Sequence, residues 1–232
     1  MLLHSLIVAA VLVLGGSPTL ACIGTGDTEV DAIYPSVSEI PENTLRFYVY
    51  FSAPMGPGDV KPHIRLQNKD GQEIEGAFLA NRFDLWSPDR SRLTLLFDPS
   101  RVKTGLEAHE SMGRALRPGE SYSLKLGREL KAAEGCSLAA GTSHEFTGVA
   151  ADFTYPDPSG WLVDEPQANT LDPLVIQLGS SFDHLSLAYR LRITSTDGAL
   201  VPGRIKLADG ESVWVFYPSE PWSADVYKMN ID

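Results

Sequence analysis

Basic residues are scarce in this chain: 19 Lys and Arg stand against 30 Asp and Glu in 232 residues, a formal charge of −11. Such a surface repels polyanions, which excludes nucleic acid as a partner and excludes a basic contact with anionic lipid. Cysteine is scarcer still. Cys22 and Cys136 are the whole complement, too few for a disulfide-dense scaffold or a thiolate zinc cluster. The five histidines form no metal-ligand spacing: His109-Glu110 and His144-Glu145 each lack the second His, four residues after the first, that a zincin helix needs. There is no G-x-S-x-G nucleophile elbow, and Gly24-Thr25-Gly26 lies in a tail rather than in a phosphate loop. After the first 21 residues no apolar run approaches the roughly 20 residues of a membrane span, and no stretch of useful length has the 3.6-residue period of an amphipathic helix. Nothing here calls for a cofactor or a metal.

What is present begins with an export segment. Leu6 to Leu14 (LIVAAVLVL) is a short apolar run followed by Gly15-Gly16 and the small-residue stretch SPTLAC. Residues 1–21 thus read as a signal peptide, although the only basic group ahead of the run is His4. Thr19-Leu20-Ala21-Cys22 resembles a bacterial lipobox, which would make Cys22 a lipidation site and give the protein a membrane anchor. The same residues also satisfy an ordinary small-x-small cleavage site. Without lipid, Cys22 and Cys136 could pair as a disulfide if the tail, residues 22–29, reaches the 130s.

The body of the chain is written twice. Phe47–Phe51 (FYVYF) lies opposite Leu174–Leu178 (LVIQL), and at the same spacing Ile64-Arg65-Leu66 meets Leu191-Arg192-Ile193 and Asp70-Gly71 meets Asp197-Gly198. Further on, Leu95-Leu96-Phe97 aligns with Trp214-Val215-Phe216, and Tyr122–Leu126 aligns with Tyr227–Ile231. The Asp-Gly pairs are hairpin turns, because glycine accepts the positive φ they demand. Alternation is strict in RFYVYF: Phe47, Val49 and Phe51 face one way, and Arg46, Tyr48 and Tyr50 the other. Pro54, which cannot donate a ladder hydrogen bond, ends that strand at a corner. Short alternating strands separated by turn signals, with 16 prolines and 20 glycines scattered through them, predict an all-β protein of two tandem β-sandwiches. The boundaries are 30–150 for the first domain, 151–159 for a proline-containing linker, and 160–232 for the second. A helical turn is expected after Asp183.

ENTLRFYVYFSAPM, followed by HIRL, a DG turn and P-G-x-x-Y-x-L, resembles the S-layer-type bacterial Ig-like domain. The resemblance covers residues 30–150 well and 160–232 more loosely. It implies Ig-like sandwiches of about seven strands in a bacterial envelope protein, with no catalytic residues. The second unit departs from the pattern. The first continues past Leu126 to a closing strand around His144–Gly148, whereas the second stops directly after the equivalent strand. An incomplete sandwich exposes a groove and an unpaired edge along Val226–Ile231.

The long connection at 100–119, SRVKTGLEAHESMGRALRPG, is the leading candidate for binding, since long ordered loops tend to be functional. Arg101, Lys103, Glu110, Arg114 and Arg117 are its candidate contacts, and Trp86, in another insertion, is a candidate carbohydrate-stacking aromatic. These readings make the chain a non-enzymatic, exported envelope protein, periplasmic, secreted or lipid-anchored, that binds or spaces a protein or glycan. The alternative is a carbohydrate-active hydrolase using paired carboxylates that nothing in the sequence singles out.

Overall fold

The computed structural model describes residues 26–80, 83–102 and 113–231. The signal segment, Cys22, and the loop residues Lys103 and Glu110 lie outside these.

The first sandwich packs two four-stranded sheets. One runs β1 (Val30–Tyr34), β3 (Arg46–Phe51), β6 (Arg92–Leu96), β5 (Leu85–Trp86) in spatial order. The other runs β2 (Glu39–Pro41), β8 (Thr142–Val149), β7 (Ser121–Leu126), β4 (Ile64–Asn68), antiparallel except for the β2–β8 pair. The alternation in β3 does what it predicts. Phe47, Val49 and Phe51 enter the core with Leu93, Phe97, Leu124 and Phe146. Met55 caps that core beyond Pro54 and is 1% exposed. A single helical turn, α1 (Pro99–Val102), opens the 100–119 connection.

The second sandwich repeats the plan in part. One sheet runs β9 (Leu162–Asp164), β10 (Leu174–Gln177), β13 (Val213–Pro218), β12 (Gly203–Ala208), matching β1-β3-β6-β5 strand for strand. The facing sheet has two strands among the described residues, β11 (Leu191–Ser195) and β14 (Tyr227–Ile231), the counterparts of β4 and β7. Among the described residues β8 and β2 have no counterpart in this sheet. A helix of seven residues, α2 (His184–Arg190), fills the expected place after Asp183, whose carboxylate accepts the Ser186 amide at its N-terminus. The core is smaller: Leu174, Ile176, Ile193, Trp214, Phe216 and Trp222.

The ladders correct one detail of the repeat. Phe47 pairs with Leu95, and its counterpart Leu174 pairs with Phe216. Leu95 therefore corresponds to Phe216 and Leu93 to Trp214, two residues away from the alignment read in the sequence. A slip of two preserves which side chains face inward, so hydrophobic pattern alone could not detect it.

Candidate functional site

The structure separates the residues expected to form one binding surface. Arg101 is 6% exposed; its Nε donates to the Gly113 carbonyl at 2.7 Å and its Nη1 donates to the Glu75 carbonyl. Its guanidinium ties the end of the 100–119 connection to the turn before Ala77. Burial lowers its pKa, with Asp98 opposing and Arg117 adding to the shift. Arg114 is also largely covered and pairs with Glu42 at 3.4 Å. Among the described members of that set on the connection, only Arg117, in an exposed pair with Glu120 at 3.7 Å, stands at the surface. Trp86 lies elsewhere, packed 5.7 Å from the Phe51 ring with the Arg90 guanidinium 4.8 Å above it. Among the described residues, then, the connection is held down by its arginines, and Trp86 serves the core edge.

A second cluster, unforeseen from the sequence, joins the two sandwiches. The outward face of the first sheet carries Tyr34, Tyr48 and Tyr50, and the second domain covers it with α2. The His184 ring stacks on Tyr34 with centroids 3.7 Å apart and meets Tyr50 edge-on at 5.4 Å. The Tyr48 hydroxyl donates to Asp183, and Arg46 stands 3.9 Å from the same carboxylate. Arg92 lies over both Tyr48 and Tyr50. Nearby, Glu211 is 2% exposed and accepts the Ser36 amide at 2.9 Å and its hydroxyl at 2.6 Å. Desolvation raises the pKa of Tyr48 well above the usual phenol range, reinforced by Asp183. Burial, with Arg92 adding to it and Asp183 opposing, depresses His184 to about 4. At neutral pH the seam is thus an uncharged imidazole among tyrosines, flanked by a carboxylate and two arginines. It is an architectural joint, and it explains why β3 has an aromatic outer face.

The third feature is one side of the second sandwich. A cleft of about 430 Å³ opens between β9–β10 and β14, lined by Val163, Leu174, Ile176, Ile193, Trp222 and Met229. Another of about 310 Å³ lies beside Ile231, against Trp161, Phe182 and Leu187. The contrast with the first sandwich is direct. Tyr122, Leu124 and Leu126 of β7, which has β8 paired along its edge, are 2%, 0% and 2% exposed. Their counterparts Tyr227 and Met229 are only half-buried, and Ile231 is 51% exposed. Val163 and Val226 on the flanks are 48% and 66% exposed. Together these side chains form an apolar slot beside a strand edge that has no partner among the described residues.

Among the described residues no group of three His, Cys, Asp or Glu side chains is placed to hold a metal ion, and no helix is long and apolar enough to cross a membrane. The tail does reach the 130s: the Gly26 amide donates to the Ser137 carbonyl at 2.8 Å, and the Ala139 amide donates to Thr28 at 2.9 Å. Cys136 is buried and disulfide-bonded, its partner lying outside the described residues.

No protein-family profile matches the chain, and no curated protein sequence does. Among solved structures, native alpha-2-macroglobulin from Escherichia coli, spanning domains MG0-NIE-MG1, superposes with a TM-score of 0.34 at 13% identity, over 90% of this chain and 67% of that one. The S-layer protein rSbsC(31-844) superposes with a TM-score of 0.32 at 13% identity, over 88% of this chain and 24% of that one. Superposition at this level argues nothing by itself, and the sandwich assignment rests on the strand pairing.

Proposed function

We propose that the chain is a non-enzymatic, exported protein of the bacterial cell envelope whose two Ig-like modules act as a binding or spacer scaffold for a protein or a glycan. One observation carries the binding part: inward side chains that are buried on β7 in the first module are half-buried or exposed on β14, its counterpart in the second. The seam of Tyr34, Tyr48, Tyr50, Asp183 and His184 supports the scaffold part, because it holds the open module in a set orientation to the closed one. The apolar segment at the N-terminus and the S-layer-type resemblance of ENTLRFYVYFSAPM support export to the envelope.

The test is capture from envelope extract. Immobilised protein should retain a ligand; Met229→Glu, which charges the slot, or Arg117→Ala with Lys103→Ala, which strips the connection, should release it. Retention unchanged by both sets, or cleavage of cell-wall polysaccharide by the purified protein, would overturn the reading.

A further inference from the structure

The connection from β8 to β9 joins the two modules covalently, and its middle is bare. Residues 150–157 are in no helix, strand or turn, and from 150 to 156 no backbone–backbone hydrogen bond is made among the described residues. Both ends are fixed. The Asn43 side chain grips Asp152 twice: its Nδ2 donates to the Asp152 carbonyl at 2.6 Å, and its Oδ1 accepts the Asp152 amide at 3.0 Å. On the other side Asp157 accepts the Ser159 amide at 3.0 Å and opens the turn Pro158–Gly160. Between these anchors Phe153 and Tyr155 stand 75% and 89% exposed. The Thr154 amide donates locally, to Asp152 Oδ1 at 2.8 Å.

Such a segment meets what an endopeptidase needs, namely backbone groups free to pair with the enzyme and a side chain free to enter its primary pocket. We propose that this connection is a processing site, cut between Phe153 and Thr154 by an endopeptidase whose pocket takes an aromatic side chain, and that the seam then holds the two modules together. Hydrolysis breaks the bond from the Phe153 carbonyl carbon to the Thr154 nitrogen. Water leaves its hydroxyl on that carbon and its proton on the new amine, and nothing is oxidised. The residue types set the specificity. No Lys or Arg lies between Lys131 and Arg190, so an enzyme selective for basic residues has no bond to cut there. Tyr155 is the more exposed aromatic, but Pro156 follows it, and proline, with fixed φ and no N–H, fits poorly just after a cut. The other exposed aromatics among the described residues are worse placed: Phe83 lies ahead of β5 beside an apolar cavity of about 210 Å³, and Tyr189 is held within α2. The seam does not depend on the connection. The Tyr34–His184 stack, the Tyr48–Asp183 hydrogen bond and the Ser36–Glu211 pair all lie outside it. A cut therefore turns a permanent pairing into a reversible one, since the linker no longer supplies an effective concentration in the millimolar range.

The experiment uses the full chain at neutral pH with a trace of chymotrypsin as the probe. By intact mass, the first cut should give one fragment ending at Phe153 and another beginning at Thr154. Phe153→Ala should slow that cut by at least about tenfold, because the primary pocket loses its ring. Phe153→Lys should hand the site to trypsin, which leaves the connection of the unaltered chain whole. Both substitutions change an exposed side chain, so the melting temperature should hold. Envelope extract should produce the same two ends from the unaltered chain and not from Phe153→Ala. At about 0.1 mM, below the effective concentration that the linker supplied, the cut protein should still elute at the size of the intact chain. With Asp183→Ala, which weakens the seam, the halves should elute apart. A first cut elsewhere, a cut indifferent to Phe153→Ala, an extract that leaves the connection whole, or unaltered halves that elute apart would overturn the proposal.

Discussion

The Tyr48 hydroxyl donates to Asp183 Oδ2 at 2.9 Å, while Asp183 Oδ1 accepts the Ser186 amide at the start of α2, also at 2.9 Å. One carboxylate thus caps a helix of the second domain and anchors it to a strand of the first. Tyr48→Phe removes only the anchor and should cost about 1.5–3 kcal/mol, the range for a hydrogen bond to a charged group. Asp183→Ala removes the cap as well and should cost about 1 kcal/mol more. Urea midpoints should fall in that order; equal midpoints would mean that the hydroxyl contributes nothing across the seam.

His184 makes the joint pH-dependent. An unfolded imidazole takes its proton near pH 6.5, whereas the folded one resists until about pH 4 because it is buried among Tyr34, Tyr48 and Tyr50, beside Arg92 and against the opposing pull of Asp183. Between those values the unfolded state binds more protons. The His184 contribution is therefore complete above pH 6.5 and is lost as pH falls toward 4. His144, depressed by burial in the first core, acts in the same direction. The melting temperature should drop between pH 7 and pH 4.5, and His184→Phe should flatten part of that slope; an unchanged slope would place the titration elsewhere.

Arg101 holds the base of the 100–119 connection through two carbonyls. Arg101→Ala leaves the Gly113 and Glu75 carbonyls without that donor and removes buried packing, so about 2–4 kcal/mol of stability should go. Arg101→Lys should restore little, since one ammonium cannot reproduce the geometry of the guanidinium fork. Denaturant midpoints for the two variants check this. A neutral Arg101→Ala would return the residue to the list of surface contacts.

Gly210 has φ +62, and a Cβ there would collide with Val37 Cγ1 in the other domain. It adjoins Glu211, which holds Ser36. Gly210→Ala should therefore destabilise by more than about 1 kcal/mol, through the left-handed backbone and the contact together. The companion Val37→Ala, Gly210→Ala double variant should recover part of the loss by making room. No recovery would confine the cost to the backbone.

Cys136 should be recovered in a disulfide-linked peptide when the exported protein is digested without reductant. Reduction should lower the melting temperature, in keeping with the 2–4 kcal/mol typical of a native disulfide. A diacylglyceryl group found on Cys22 by mass spectrometry would instead establish the anchored form.

Much of the fold was legible before any coordinates. The inward set of β3, the hairpin glycines Gly71 and Gly198 with φ of +77 and +87, and the turn after Asp183 all follow from local pattern. The candidate surface was less legible. Arg101 reads as a loop cation in the sequence, and only the arrival of the Glu75 and Gly113 carbonyls around it turns it inward. The signal that could have revealed the seam was Tyr48 and Tyr50 on a strand face that would otherwise meet water, but nothing in that segment names their cover.

Residue order by itself determined that this protein is built from alternating strands and that the plan occurs twice. These are properties of near neighbours, and a period of two is written within half a dozen residues. Tertiary structure alone decided the register of β13, the burial of Arg101, the docking of His184 on Tyr34, and the exposure of Met229 where Leu124 is sealed. Each depends on groups far apart in the chain meeting in space. A register slip of two, or a change of covering surface, leaves the local alternation as it was.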